Sequence, residues 1–318
     1  MNKWMIAAAC SLLACQSANA LNIVVSNDDG LTSNVKALYD SLKSAGHDVI
    51  ISIPCTQQSG RGGGVVMHST TTINATADTD ISKDGGCRNG AALIGDPSAG
   101  EFKKSGFTNG DWHYAHGTPV MALMYGLDAV AAARWSKSPD LVISGPNEGS
   151  NLGSLNITSG TVGISQFALI RGIPAIAFSA SSKTVDDQTL ANPKSSVIAS
   201  LATQFVKSLE DKAKTGKLLP AGVALNVNFP DSANASMPFA FSKQGNFDLY
   251  EIGFTSKAPF NYRLIRQNNP ATATAEQKED ESVVVSDRIS VSAMQMGFEA
   301  RPAAQEWLRM RLGQIGSK

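Results

Sequence analysis

Residues 21–30 constrain the fold most: a short apolar run ends in Asn27, the adjacent carboxylates of Asp28 and Asp29, and a glycine. The run is typical of a strand, and in an open α/β sheet ligands bind outside the carboxyl ends of the strands. Two neighbouring carboxylates repel each other unless a cation, a proton or a hydrogen-bond donor compensates them. The sequence therefore indicates either a site for a hard metal ion or an ordinary Asp-Gly turn.

Strand-like apolar runs alternate with amphipathic stretches from residue 21 to about residue 178. This alternation is typical of βαβ units and predicts an α/β fold with a mostly parallel sheet flanked by helices. Helices are predicted over residues 34–45, 119–133, 160–171, 195–213 and 303–312. Strands are predicted over residues 48–53, 140–144, 174–178, 221–230, 282–286 and 289–292, the last two as a C-terminal hairpin. Residues 65–109 predict hairpins or an excursion over the active-site face.

The first twenty residues have the layout of a secretory signal peptide: Lys3, an apolar stretch, and then Ala18-Asn19-Ala20. The mature chain is predicted to begin at Leu21 and to be exported. A second interpretation places a lipoprotein cleavage site before Cys15, which would become a lipidated N-terminus. We expect simple secretion, because an anchor at Cys15 would leave a short tether before the first strand.

The remaining composition excludes several classes of function. Without residues 1–20 the chain has 26 basic and 27 acidic residues, which argues against a nucleic-acid surface. No later segment is long and apolar enough to span a bilayer. Four histidines and no close His or Cys pair argue against a zinc site of the usual spacing. Cys55 and Cys87 can form one disulfide or stay two thiols, and an oxidising compartment favours the disulfide.

Three predicted loops carry polar groups at the carboxyl ends of strands: residues 27–30, 59–64 and 145–153. Their carboxylate, hydroxyl and amide oxygens form a set suited to Mg²⁺, Mn²⁺ or Ca²⁺. Residues 158–163 open a predicted helix, whose N–H groups and positive dipole end suit a phosphate. The alternative for this segment is simple helix capping by Ser159, and both can hold at once.

Four separated motifs carry a family resemblance: residues 26–30, Ser59-Gly60, His116-Gly117-Thr118-Pro119, and the run from residue 144 to residue 163. In their order and approximate spacing they resemble the SurE survival-protein family of metal-dependent 5′/3′-nucleotidases, also described as acid phosphatases. The resemblance covers most of residues 21–229. It implies a Rossmann-like core over residues 21–240, and a C-terminal extension over residues 241–318 that forms a homodimer or homotetramer.

The resemblance also implies an activity, the hydrolysis of nucleoside monophosphates or other small phosphomonoesters with one divalent cation per subunit, Mg²⁺ or Mn²⁺. The metal ligands fall on Asp28, Asp29, Ser59 and Asn147. The substrate phosphate falls on Ser159, Gly160 and Thr161, and Asn27 is predicted to position water or phosphate. Asp28 or Asp29 is the predicted acceptor of the proton from the attacking water.

Other interpretations remain open at this stage. His116 is either a general acid or a structural residue at a strand end, and we expect the structural role. Arg61 either contacts the substrate phosphate or is a solvated loop charge. A phosphatase with a nucleophilic aspartate needs an Asp-x-Asp arrangement, whereas these carboxylates are adjacent. An exported module that binds a nucleotide or a metal without turnover is the alternative outside enzymes.

Overall fold

The computed structural model describes residues 20–66, 71–73, 85–186, 189–213, 217–254, 262–297 and 302–312. Its strands are β1 (Asn22–Ser26), β2 (Asp48–Pro54), β3 (Ala99–Glu101), β4 (Trp112–Ala115), β5 (Leu141–Glu148), β6 (Ala175–Ala180), β7 (Val223–Asn228), β8 (Phe239–Ser242), β9 (Tyr250–Phe254), β10 (Tyr262–Gln267) and β11 (Ile289–Gln295). Its α-helices are α1 (Ser33–Ser44), α2 (Pro119–Tyr125), α3 (Ala132–Trp135), α4 (Gly160–Ile170), α5 (Pro193–Ala213), α6 (Glu281–Val284) and α7 (Pro302–Leu312). The predicted signal peptide, apart from residue 20, and parts of the predicted excursion lie outside the described residues.

Nine strands form one sheet in the order β3-β4-β2-β1-β5-β6-β7-β11-β8, and β9 and β10 form a separate antiparallel pair. The six neighbouring strands β4-β2-β1-β5-β6-β7 of this sheet all pair in parallel, which confirms the predicted α/β fold. β1 lies between β2 and β5, so the acidic turn that follows β1 emerges near the middle of the sheet. A central parallel strand is covered on both faces, which explains why β1 is apolar throughout its interior.

Helices cover both faces of the sheet. Side chains alternate along a strand, so Ile23 and Val25 face one apolar cluster and Val24 faces another. The first cluster includes buried side chains of α1 and α5, and the second includes those of α2 and α4. The helix predictions are confirmed, and a π-helical segment (Gly126–Ala131) joins α2 to α3 within the region predicted as one helix.

The C-terminal hairpin predicted over residues 282–292 is wrong. Residues 289–295 do form β11, but that strand pairs with β7 on one side and β8 on the other. Both edges of β11 are therefore occupied, so residues 282–286 cannot pair with it as a hairpin. They instead begin in α6, where the N–H groups of Val283 and Val284 donate to the Asp280 carbonyl. The hairpin in this part of the chain is the β9–β10 pair.

The structure confirms the disulfide between Cys55 and Cys87, with the two sulfur atoms 2.05 Å apart. Both cysteines are buried, and the Arg88 N–H donates to the Cys55 carbonyl at 2.7 Å. The bond therefore holds the segment that begins at residue 85 against the end of β2. No helix in the part of the chain that the structure describes combines the length and apolar character needed to cross a membrane.

Candidate active site

The acidic turn after β1 is held by the side chain of Asn27. Its Oδ1 accepts a hydrogen bond from the Gly30 N–H at 3.1 Å, and its Nδ2 donates to the Gly30 carbonyl at 2.7 Å. Both Asp28 and Asp29 inside this turn are buried, at 2% and 0% exposure. The observed contacts of Asn27 shape the turn, and its predicted role toward water or phosphate stays a prediction.

Asp28 faces the first turn of α4. The Thr161 hydroxyl donates to Asp28 Oδ1 at 2.7 Å. A Cβ atom on Gly160 would lie 2.7 Å from the Cβ of Asp28, so only a glycine allows the helix to come this close. Burial raises the pKa of Asp28, and the Thr161 hydroxyl and nearby backbone groups, including those of Gly160, oppose the shift.

Asp29 lies deeper and has one oxygen without a partner. Its Oδ2 accepts a hydrogen bond from the Glu148 N–H at 2.9 Å, whereas its Oδ1 is buried with no hydrogen-bond partner. Burial raises the pKa of Asp29 well above its ordinary value, and the Asp28 and Glu148 carboxylates add to that rise. A buried, unpaired carboxylate oxygen is costly, and a cation is one way to compensate it.

Asn147, near the end of β5, presents a second buried oxygen of this kind. Its Nδ2 donates to the Gly149 carbonyl at 2.8 Å, and its Oδ1 is buried without a hydrogen-bond partner. Together with Asp29 Oδ1, this amide oxygen fits a hard divalent cation, which takes carboxylate and amide oxygens as ligands. Within the described ranges there is no group of three or more His, Cys, Asp or Glu residues that could hold a metal. A metal bound here would therefore also need the amide oxygen of Asn147 and the hydroxyl of Ser59 as ligands.

The loop that contains Ser59 lies between the acidic turn and α4. The Gln58 N–H donates to the Asp28 carbonyl at 2.6 Å, and further along the loop the Gly62 N–H donates to the Thr158 carbonyl at 3.0 Å. The Ser59 side chain is exposed, and its Oγ accepts a hydrogen bond from Gln57 Nε2 at 2.8 Å. These contacts bring the Ser59 loop beside the predicted metal and phosphate residues.

The other two motifs reach the same region. Ser159 caps α4, since its Oγ accepts a hydrogen bond from the Val162 N–H at 3.1 Å. The Thr118 hydroxyl donates to the Gly64 carbonyl at 2.6 Å and so joins the His-Gly-Thr-Pro motif to the Ser59 loop. His116 is buried, and its backbone N–H donates to the Ser98 carbonyl at 2.6 Å; the structural role of its side chain stays a prediction. Arg61 is exposed.

The sequence interpretation missed Arg88. Its Nη1 donates to the Asp29 carbonyl at 2.7 Å, and its Nη2 forms an ion pair with Glu148 Oε1 at 2.7 Å. Arg88 thus supports the acidic turn and partly neutralises a carboxylate beside Asp29. The signal that could have located it is Cys87, because a disulfide to Cys55 brings the next residue to the end of β2.

The chain matches a protein-family model over most of its length. The family model for Survival protein SurE matches residues 23–250. The chain belongs to the SurE family. All the candidate site residues lie within that matched range, from the acidic turn of this SurE-family chain to the start of α4.

Two curated relatives and one solved structure extend the SurE assignment. An acid phosphatase of Yarrowia lipolytica is 38% identical over 65% of this chain and 56% of its own length. A 5′-nucleotidase SurE of Gloeobacter violaceus is 32% identical over 66% of this chain and 64% of its own length. The chain thus spans less than two thirds of either relative. The crystal structure of the SurE protein from Aquifex aeolicus matches the fold with a TM-score of 0.63 at 23% identity, covering 91% of this chain and 98% of that one.

Proposed function

We propose that this protein hydrolyses phosphate monoesters, nucleoside monophosphates among them, with a divalent cation bound at the carboxyl end of β1. The observation that carries the proposal is the pair of buried, unpartnered oxygens, Asp29 Oδ1 and Asn147 Oδ1, together with the packing of the neighbouring Asp28 against the first turn of α4. The two buried oxygens suit a cation, and the N-terminus of α4 suits a phosphate. Relatives named as an acid phosphatase and as 5′-nucleotidases support the same activity.

The residues divide into a metal set and a phosphate set. Asp28, Asp29, Ser59 and Asn147 would hold Mg²⁺ or Mn²⁺, which when bound polarises a phosphoryl oxygen and lowers the pKa of a water molecule. Ser159, Gly160 and Thr161 begin α4, whose first N–H groups and positive dipole end favour the phosphate oxygens. The Thr161 hydroxyl also orients Asp28 through its hydrogen bond to Oδ1.

Hydrolysis needs a proton acceptor for the attacking water, and Asp28 and Asp29 are the candidates for this role. As the water oxygen bonds to phosphorus, its proton passes to one of these carboxylates, and the ester P–O bond breaks with its electron pair on the leaving oxygen. The leaving oxygen then takes up a proton from solvent, which completes the reaction. Asn27 holds the turn so that both carboxylates keep this orientation.

The test of the proposed function is phosphate release by the purified protein from a panel of nucleoside monophosphates and an aryl phosphate. We expect release with Mg²⁺ or Mn²⁺, loss of release after chelation, and its return when the metal is restored. Calorimetric titration of the metal into chelated protein gives a readout that does not depend on turnover. Release that survives chelation contradicts the metal site, and binding of nucleotide and metal without release supports a binding module instead.

We infer that the protein is exported. The buried Cys55–Cys87 disulfide supports this inference, because such bonds persist in oxidising compartments and are rare in the reducing cytosol. The signal-peptide pattern of residues 1–20 points the same way. Simple secretion leaves a chain that begins at Leu21, whereas lipoprotein processing leaves one that begins at Cys15.

We also infer that the protein assembles as a homodimer or homotetramer through its C-terminal part. α7 exposes large apolar side chains that a partner surface would cover: Trp307, Leu308, Met310 and Leu312 are between 42% and 73% exposed. Exposed apolar patches of this kind are typical of protein–protein contacts. β8 lies at the edge of the sheet, and its Phe241, which is 77% exposed, is a further exposed apolar side chain.

One mass measurement tests both inferences. Native mass spectrometry of the protein recovered from its own cells should give a whole multiple of a chain that begins at Leu21. The same chain should resist alkylation at Cys55 and Cys87 until it is reduced. A mass that retains residues 1–20 contradicts export, a lipid-modified Cys15 contradicts simple secretion, and a monomer at micromolar concentration contradicts the assembly.

A further inference from the structure

Glu281 is a fully buried carboxylate at the start of α6, beyond the end of the family match at residue 250. Its Oε1 accepts hydrogen bonds from the Gly153 N–H at 2.8 Å and from Asn156 Nδ2 at 2.7 Å. Its Oε2 accepts them from Asn226 Nδ2 at 3.0 Å and from the Ser292 hydroxyl at 2.6 Å. All four donors are neutral, so the carboxylate is buried by hydrogen bonding alone, which is an expensive arrangement to maintain.

The donors come from two sides. Asn226 and Ser292 lie on β7 and β11, which are paired strands of the main sheet. Gly153 and Asn156 lie on the segment that leads from Asn147 to the helix cap. Glu281 therefore connects the sheet to the segment between Asn147, a candidate metal ligand, and Ser159, where the candidate phosphate site begins.

Asn151 strengthens this connection. Its carbonyl accepts hydrogen bonds from both Asn226 Nδ2 and Asn228 Nδ2 at 2.9 Å, and its N–H donates to Asn228 Oδ1 at 2.9 Å. Asn226 donates to both Asn151 and Glu281, so the two contacts belong to one buried network. Hydrogen bonds in such a buried network rigidify the backbone segments that they contact.

We propose that Glu281 is a positioning residue, which holds residues 151–156 so that Asn147 and the first turn of α4 keep the spacing that binds a phosphate monoester. The proposal rests on the proposed function and adds to it a residue from the C-terminal part of the chain. Glu281 is distant from the reacting atoms in this role and acts through the Gly153 N–H and the Asn156 side chain.

Glu281→Gln is the direct test. The glutamine keeps the size of the side chain, but its NH₂ group faces two donors on one side of the network, and at least one of those hydrogen bonds is lost. We expect KM for the phosphate monoester to rise about tenfold, since the loss of one hydrogen bond to a charged group has an effect of this size on an equilibrium. We expect kcat to change less, and the unfolding temperature to stay within a few degrees of wild type.

Two other variants separate positioning from stability. Glu279→Gln changes an exposed carboxylate two residues away and should leave KM unchanged. Asn156→Ala removes a donor on the loop side, and Ser292→Ala removes a donor on the sheet side, from the same carboxylate. Positioning predicts that the loop-side variant raises KM more than the sheet-side variant does, even when both lower the unfolding temperature equally. If Glu281→Gln fails to fold, this pair decides.

Hydrogen exchange gives a readout that does not depend on catalysis. Amide exchange of residues 151–162 should be faster in Glu281→Gln than in Glu279→Gln, while exchange in β1 and β2 stays unchanged. If wild-type protein releases no phosphate with any metal, the proposed function fails, and the exchange measurement alone decides whether Glu281 holds the segment. A folded Glu281→Gln protein with wild-type KM and wild-type exchange in residues 151–162 overturns the proposal.

Discussion

Asp29→Asn should remove at least 99% of phosphate release while leaving the metal-free protein at least as stable as metal-free wild type. The asparagine can keep its oxygen toward the Glu148 N–H, which now bonds to Asp29 Oδ2 at 2.9 Å. Its Nδ2 then takes the place of the buried Oδ1 that has no partner, and an NH₂ group does not bind a cation. A loss of roughly 100-fold or more is the usual effect of removing a group that stabilises transition-state charge.

The stability effect has the opposite sign because the wild-type carboxylate is buried next to other acids. Burial, Asp28 and Glu148 all raise the pKa of Asp29, so its ionised form is costly in the folded protein. A neutral side chain of the same shape removes that cost, as is common at sites that sacrifice stability for function.

The experiment measures turnover with metal present and thermal unfolding after chelation, because bound metal would stabilise wild type more than the variant. Asp211→Asn is the matched control, since Asp211 is an exposed aspartate on α5 with a salt bridge to Lys207 at 3.1 Å. It should change neither quantity by more than a small amount, because exposed ion pairs contribute little. Metal titration should also show that Asp29→Asn binds Mn²⁺ more weakly than wild type. Turnover within tenfold of wild type would remove Asp29 from the candidate metal set.

The main features of the sheet and of the site could be predicted because they depend on local sequence. The apolar run of β1 ends at the acidic turn, and the cap at Ser159 begins α4 where the sequence indicates it. In a parallel sheet such turns all emerge at the carboxyl ends of the strands, so residues far apart in sequence can be expected to meet there. Asp28 and Thr161, which are hydrogen-bonded, show this most directly.

The parts that the sequence did not predict depend on contacts between distant segments. Residues 282–286 have the apolar character of a strand, but β11 has no free edge, and the segment forms a helical turn instead. Arg88 reaches the acidic turn through a disulfide that the sequence left open. Glu281 carries no local signal at all, because its four partners come from three different parts of the chain.

The second large effect is expected from a single methyl group at the start of α4. A Cβ on Gly160 would lie 2.7 Å from Asp28 Cβ, 2.8 Å from Asp28 Oδ2 and 2.8 Å from Pro119 Cγ. All three distances are shorter than a real Cβ contact, so Gly160→Ala must displace Asp28, Pro119 or the helix itself. Neither neighbour moves easily, because the Thr161 hydroxyl and the Gln58 N–H hold Asp28, and Pro119 is the first residue of α2.

Gly160→Ala should therefore reduce kcat/KM roughly 100-fold, the effect that a displacement of about 1 Å has on a catalytic arrangement. Overpacking costs about 1–3 kcal/mol, and the better helix propensity of alanine offsets up to about 1 kcal/mol of that, so the protein should still fold. Gly100→Ala is the matched control, since Gly100 lies on β3 and a Cβ there would contact Tyr114 at no less than 3.5 Å. If Gly160→Ala keeps wild-type turnover, the close approach of α4 to Asp28 is not required for catalysis. Loss confined to Gly160→Ala would instead tie turnover to the contact between the acidic turn and the helix.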